Sequence, residues 1–406
     1  MNTRPPIETP NPTLVLSITF NDDCSNFAVG LNSGFCIFHT ESCSLRTTRD
    51  FNAGVGLVQL MGKANYVGLV GGGTQPKFAG NKLILWDDRN SKIALEISLL
   101  TPVRGVQLSK ERIVVVLQNS VRVYKFAKPP NFISAYETAN NVWGLCCLSP
   151  RRIAFPGRTS GHVQLVELAT GNVSIIPAHS SALRAIALSR DGDLLATASE
   201  MPCSLIPLTN TTPSHKGTLI RIFATTSCAR LVELRRGIDP ATIFSLAFSP
   251  SGSKLACTSD KATLHIFDVP GGGDPQAAAA PAGPAEPPAP GTAGAVSKGA
   301  TGAGKWGILS KIPLMPRMFS DVYSFASASF EAGEEPVVAG LPMSASTTLG
   351  TARPPKGVIG WVSEDKLVVI GGGTDARWEL FGIAPGQGGE GRVCLREGWR
   401  RYLGEA

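Results

Sequence analysis

Leu234-Arg235-Arg236-Gly237 carries the two side chains best placed for chemistry with a phosphate. A guanidinium presents five N–H donors in a planar fork, which matches two oxygens of one phosphate group. The pair lies between two strand-like runs, Ala229 to Leu234 and Thr242 to Phe248. Successive side chains of a strand point to opposite faces. An extended Arg235-Arg236 therefore sends one guanidinium toward the N-terminal side and the other toward the C-terminal side. Two anion sites around one dipeptide are expected.

Enzyme chemistry finds little support. The segment Gly299-x-x-x-x-Gly304-Lys305 matches most of a phosphate-binding loop, but Trp306 stands where Ser or Thr is required and no strand precedes it. Gly386-x-Gly388-x-x-Gly391 is an equally weak match to a dinucleotide-binding turn. Only five histidines are present, no Cys/His cluster has metal-ligand spacing, and no nucleophile–base pair is readable. No catalytic residue, metal or cofactor is expected.

The elements that must position the arginines follow from composition and repetition. The chain has 406 residues, of which 17% are charged, with 44 Gly and 30 Pro, a balance that favours short strands and turns over helix bundles. Its net charge of +7 suits a phosphate-bearing partner, nucleic acid or anionic membrane. Nine cysteines, an odd number without a C-x-x-C pair, read as reduced thiols of a cytosolic protein. The adjacent Cys146-Cys147 fall in an apolar run. Residues 1–12 are polar and Pro-rich, read as a disordered tail rather than a signal peptide. No apolar run approaches the roughly 20 residues that span a bilayer, so any membrane contact is expected to be peripheral.

Seven segments end in a short apolar strand that closes on an aromatic or large aliphatic residue. They are Phe35 to Phe38, Leu83 to Trp86, Val121 to Tyr124, Val163 to Val166, Ile220 to Phe223, Leu264 to Phe267 and Trp378 to Phe381. Most lie about 40 to 50 residues apart, the spacing of four-stranded propeller blades. Within a unit the order is strand, turn, strand, turn, closing strand. Leu183 to Leu188, Arg190-Asp191-Gly192, Leu194 to Ser199 and Thr218 to Phe223 show it, as do Ile243 to Phe248, Pro250-Ser251-Gly252, Leu255 to Ser259 and Thr263 to Phe267. The pattern predicts an all-β, seven-bladed β-propeller over residues 13–406, with WD40-like blades but only Trp86-Asp87 as a Trp-Asp signature. A β-sandwich with a second β domain is the competing architecture.

Two intervals are too long for a bare blade. Residues 201–216 are a polar, Pro-containing insert, either a surface loop or translated intron sequence. The second runs from about 268 to 355. Its first part, Pro270 to Gly304, is almost entirely Gly, Ala and Pro and reads as disordered. Its second part brings together Trp306, Ile308, Leu309, Leu314, Met318 and Phe319, with Lys305, Lys311 and Arg317, followed by Val322, Tyr323 and Phe325. That mixture suits partial insertion into a bilayer interface with bases near anionic head groups. Packing on the side of the propeller is the alternative.

Several runs together resemble the PROPPIN family, whose animal members are the WIPI proteins. They include Gly71-Gly72-Gly73-Thr74-Gln75-Pro76-Lys77, Asn81 to Asp88, Arg112 to Leu117, Ala154-Phe155-Pro156-Gly157, Gly161 to Leu165, Ala196-Thr197-Ala198-Ser199-Glu200 and Gly217 to Phe223. The double arginine then follows in its expected place, and Leu234 resembles a subgroup with Leu-Arg-Arg-Gly. The likeness covers about residues 13–267, and more weakly extends to about 383. It implies a non-enzymatic propeller that binds phosphatidylinositol 3-phosphate and phosphatidylinositol 3,5-bisphosphate through two rim pockets flanking the motif. For the first pocket it points to Arg235 with Ser199, Thr218, Arg221 and His179. For the second it points to Arg236 with Ser259, Lys261, Thr263 and His265. Hydroxyls and arginines there supply donors to phosphate oxygens.

The resemblance also implies a monomeric cytoplasmic protein. It would be peripheral on the vacuole membrane, endosomes, cytoplasmic vesicles and the preautophagosomal structure, acting in autophagy and membrane trafficking. A large lipid-transfer protein of the autophagy machinery is an implied partner, so a scaffold for which the lipid serves as address is the rival function. Nucleic-acid binding is not expected, because no basic–aromatic platform is present.

Overall fold

The computed structural model describes residues 13–199, 218–237, 239–270, 322–333, 337–338, 341–342, 356–372, 375–386 and 391–403. Seven sheets of at least four strands form a β-propeller, and a separate two-stranded hairpin pairs Val337–Val338 with Leu341–Pro342. Among the described residues no helix is long and apolar enough to cross a membrane.

Blade 1 shows the local logic. Its second strand, Asn26–Leu31, is buried at every position, because sheets pack against both of its faces. Its outer strand, Leu45–Asp50, is mostly exposed and reads polar. Turns follow the residues that permit them. Gly192 and Gly252 adopt φ of +81° and +76° between the first and second strands of blades 5 and 6, a region a Cβ disfavours.

The seven apolar runs read as closing strands are all third strands, not last ones. Leu264 to Phe267, for example, lies in Thr263–Asp268, and the outer strand of that blade is Ala326–Ser329. Outer strands have a single neighbour within their own run of the chain and an edge turned away from the ring, so they lack the apolar signature that marks the other three. The expected loop of about 268–355 is corrected accordingly, since it contains this blade strand. It also contains Val322–Tyr323, which pairs in parallel with Leu234–Arg235 on the outer edge of blade 5. Phe325 packs into the core between blades 6 and 7, with the Arg392 guanidinium 3.6 Å from its ring centroid. It is thus withdrawn from the membrane-contacting set. Trp306, Ile308, Leu309, Leu314, Met318 and Phe319, and the insert 201–216, lie outside the described residues.

Blade 1 takes all its strands from residues 15–50 and blade 7 from 358–401, so the ring closes without a shared strand. Side chains bridge the seam instead. Trp378 Nε1 donates to the Thr40 carbonyl at 2.7 Å. Tyr402 packs edge-on against Phe27 and Phe38, with ring centroids 5.8 and 5.5 Å away.

Candidate functional site

The double arginine stands at the rim between blades 5 and 6. Leu234 is fully buried and anchors the end of the outer strand Arg230–Arg235 in the core. Arg235 is the last residue of that strand, in register with Leu219 on one side and Tyr323 on the other. Arg236 has left the strand, although its N–H still donates to the Thr218 carbonyl at 3.2 Å. Both arginines are deeply buried, at 9% and 7% exposure, which is rare for this residue type.

Arg236 crosses to blade 6. Its Nη2 donates to Thr263 Oγ1 at 2.6 Å, and that hydroxyl lies 3.4 Å from Ser259 Oγ. The two hydroxyls come from opposite ends of one tight turn, in which Ala262 holds φ of +53° and Lys261 N donates to Ser259 Oγ at 3.4 Å. His265 shares the third strand of blade 6 with Thr263, and its Nδ1 lies 3.0 Å from Ser324 Oγ. Burial lowers the His265 pKa to about 4, and the Arg236 charge acts in the same direction. At neutral pH the imidazole is therefore uncharged. Arg236 Nε is buried and has no hydrogen-bond partner among the described residues. The structure thus gathers Arg236, Ser259, Lys261, Thr263 and His265 around one turn.

The blade 5 side is more committed. Arg221 Nε donates to Glu233 Oε2 at 2.7 Å, and its Nη1 donates to the Ala178 carbonyl at 2.6 Å. His179 Nε2 lies 2.9 Å from Thr197 Oγ1, and burial, reinforced by Arg221, lowers its pKa to about 4. Thr218 is 1% exposed, and its hydroxyl both donates to the Ala241 carbonyl and accepts from the Ala241 N–H, each at 2.8 Å. That hydroxyl ties the start of a strand to the next connection. Ser199 ends the second strand of blade 5, half-buried and in register with Leu183. Gly237 is half-buried, and a Cβ there would meet nothing within 4 Å.

Three participants escaped sequence reasoning. Glu233 neutralises Arg221 because strand register sets the two opposite each other. Thr197 holds His179 across 18 residues. Val322–Ser324 returns to the rim from the far end of a long connection, against Arg235 and His265. Only the Glu233 position, two residues before Arg235, carried a signal, and reading it required the register.

The PROPPIN family model matches residues 15–280. SVP1-like protein 2 of Neurospora crassa is 52% identical over 443 aligned positions, covering all of both chains. The solved structure of Kluyveromyces lactis Hsv2 with complete loop 6CD has a TM-score of 0.69 at 22% identity, covering 96% of this chain and 99% of that one. A solved complex of KlAtg21 with the coiled coil of AgAtg16 has a TM-score of 0.60 at 17% identity, covering 96% of this chain and 99% of that one.

Proposed function

This chain belongs to the PROPPIN family, and from that premise we propose that it is a peripheral membrane protein reading 3-phosphorylated phosphoinositides in autophagy and vacuolar or endosomal trafficking. Its ligands are phosphatidylinositol 3-phosphate and phosphatidylinositol 3,5-bisphosphate, held in two rim pockets on either side of Leu234–Gly237. The observation that carries the reading is the buried Arg236, whose Nη2 is oriented by Thr263 and whose Nε has no partner among the described residues. A buried donor without an acceptor costs about 1–3 kcal/mol, and a phosphate oxygen is the acceptor that repays it.

The pocket roles divide unequally. On the blade 6 side, Arg236 and Lys261 supply charge, and Ser259 and Thr263 supply hydroxyl donors. On the blade 5 side, Arg235 supplies charge and Ser199 a hydroxyl donor, while Arg221, paired with Glu233, fixes the Ala178 carbonyl next to His179, whose ring Thr197 holds. Thr218 supports that framework through the bonds of its hydroxyl to Ala241 rather than by offering that hydroxyl to phosphate. Each head group alone binds weakly, but two pockets on one rigid body make the second capture intramolecular. Insertion of Trp306, Ile308, Leu309, Leu314, Met318 and Phe319 into the interface adds apolar burial.

Flotation with liposomes tests the reading. Arg235→Thr with Arg236→Thr abolishes recovery on vesicles containing phosphatidylinositol 3-phosphate while the melting curve stays cooperative. Wild-type flotation of that double variant refutes the site. The KlAtg21 complex favours a second role as a scaffold for a protein partner, for instance an autophagy lipid-transfer protein. Partner binding that survives the double variant in solution separates that surface from the lipid pockets.

A further inference from the structure

A cavity of about 650 Å³ opens at the rim between blades 3 and 4, well away from the double arginine. From blade 3 it takes three consecutive residues of the outer strand Asn131–Glu137, namely Ala135, Tyr136 and Glu137. Successive strand residues face opposite sides, so a cavity touching all three follows the outer edge of the strand. Among the described residues that strand pairs only with Ser120–Lys125, and its other edge carries no strand, although the Glu137 carbonyl at its end accepts from Gln164 Nε2 at 2.9 Å. A bare edge is a template for a further strand. The molecule fills such an edge once already, where Val322–Tyr323 lies in parallel against Leu234–Arg235.

The flanks of this edge have definite chemistry. Arg122 lines the cavity and stands opposite Ala135 in the strand register. The same third-strand position in blade 5 holds Arg221, which faces Glu233 and forms an ion pair with it at 2.7 Å. With alanine in place of that glutamate, Arg122 has no ion pair or hydrogen bond among the described residues, and its Nε is buried. Arg158 is held by Glu137 at 3.0 Å, but both are more than 70% exposed, so an incoming carboxylate can displace that pair. The opposite wall is apolar. Val173 and Ile175, alternate residues of the blade 4 outer strand, are 46% and 60% exposed.

We propose that the outer edge of blade 3 binds an extended acidic peptide of a partner protein by strand addition, with one peptide carboxylate on Arg122 and an apolar side chain on Val173 and Ile175. Main-chain bonds to an edge strand give affinity, and alternate side chains on the two flanks give specificity. A peptide suits the groove better than a lipid head group, because the groove runs along a strand edge and carries two exposed aliphatic side chains. It also lies at least two blade steps from the arginine pair, roughly 100° around a seven-fold ring, so both sites can be filled together.

Fluorescence anisotropy on the full chain tests this with two capped, dye-labelled seven-residue probes, one alternating aspartate with valine and one alternating lysine with valine. The aspartate probe binds, and the lysine probe binds at least tenfold more weakly. Arg122→Glu and Ile175→Asp each weaken the aspartate probe at least tenfold with melting curves unchanged, while Arg235→Thr with Arg236→Thr leaves it unaffected. Equal binding of the two probes, no binding of either up to millimolar concentration, or wild-type affinity in Arg122→Glu overturns the proposal. Loss of liposome flotation in Arg122→Glu also overturns it, by assigning the groove to lipid.

Discussion

Replacing Arg236 by alanine separates the roles of its guanidinium. In the free protein the side chain is 7% exposed, makes one 2.6 Å hydrogen bond to Thr263, and carries a buried Nε without a partner. Removal loses a charge-assisted bond of about 1.5–3 kcal/mol and relieves an unsatisfied donor costing about 1–3 kcal/mol. The two nearly cancel, so the melting temperature moves by a few degrees at most, on a scale of about 2–4 °C per kcal/mol. Binding has no such cancellation. Each charge-assisted bond to phosphate that disappears removes about 1.5–3 kcal/mol, and every 1.4 kcal/mol is about tenfold in affinity. The blade 6 pocket therefore loses between about tenfold and a hundredfold per bond. Isothermal titration with soluble inositol 1,3-bisphosphate reads this directly. Wild type takes two ligands, Arg236→Ala takes one at unchanged affinity, and the variant that also carries Arg235→Ala takes none. Two sites of wild-type affinity in Arg236→Ala, with an intact melting curve, refute the reasoning.

His179 and His265, with pKa values lowered to about 4 by burial, bind fewer protons when folded than when unfolded between pH 4 and 6.5. Stability is full above pH 6.5 and falls as pH drops through that window, by up to about 3 kcal/mol per histidine, and urea midpoints from pH 7.5 to 4.5 measure the slope. His179→Gln with His265→Gln flattens it. Trp378→Ala, which removes the 2.7 Å bond to Thr40 and a 4% exposed indole from the seam between first and last blades, costs about 3–5 kcal/mol in chemical denaturation. Deleting residues 305–319, which spares the blade contacts of Val322, Tyr323 and Phe325, weakens liposome flotation and leaves inositol 1,3-bisphosphate titration unchanged. Equal loss in both assays makes the segment a structural support.

The chain's own residues determined the repeat, the turns and the arginine pair, because these depend on periods of two residues and on glycine at defined positions. Leu194–Ser199 and Lys254–Ser259 are legible as strands from apolar content alone, and Gly192 and Gly252 mark their turns. The outer strands were less legible, since a strand with one neighbour and one wet edge carries no such run. Ala326–Ser329 joins blade 6 across more than fifty intervening residues, and no local pattern announces that pairing. Tertiary structure alone decided which groups meet the cations. Register set Glu233 opposite Arg221 and Ala135 opposite Arg122, neutralising one arginine and leaving the other bare. Packing of blade against blade brought Thr263 to Arg236, and a long return path placed Ser324 on His265. Strand propensity is local, whereas hydrogen bonds between blades follow from how the sheets stack around the ring.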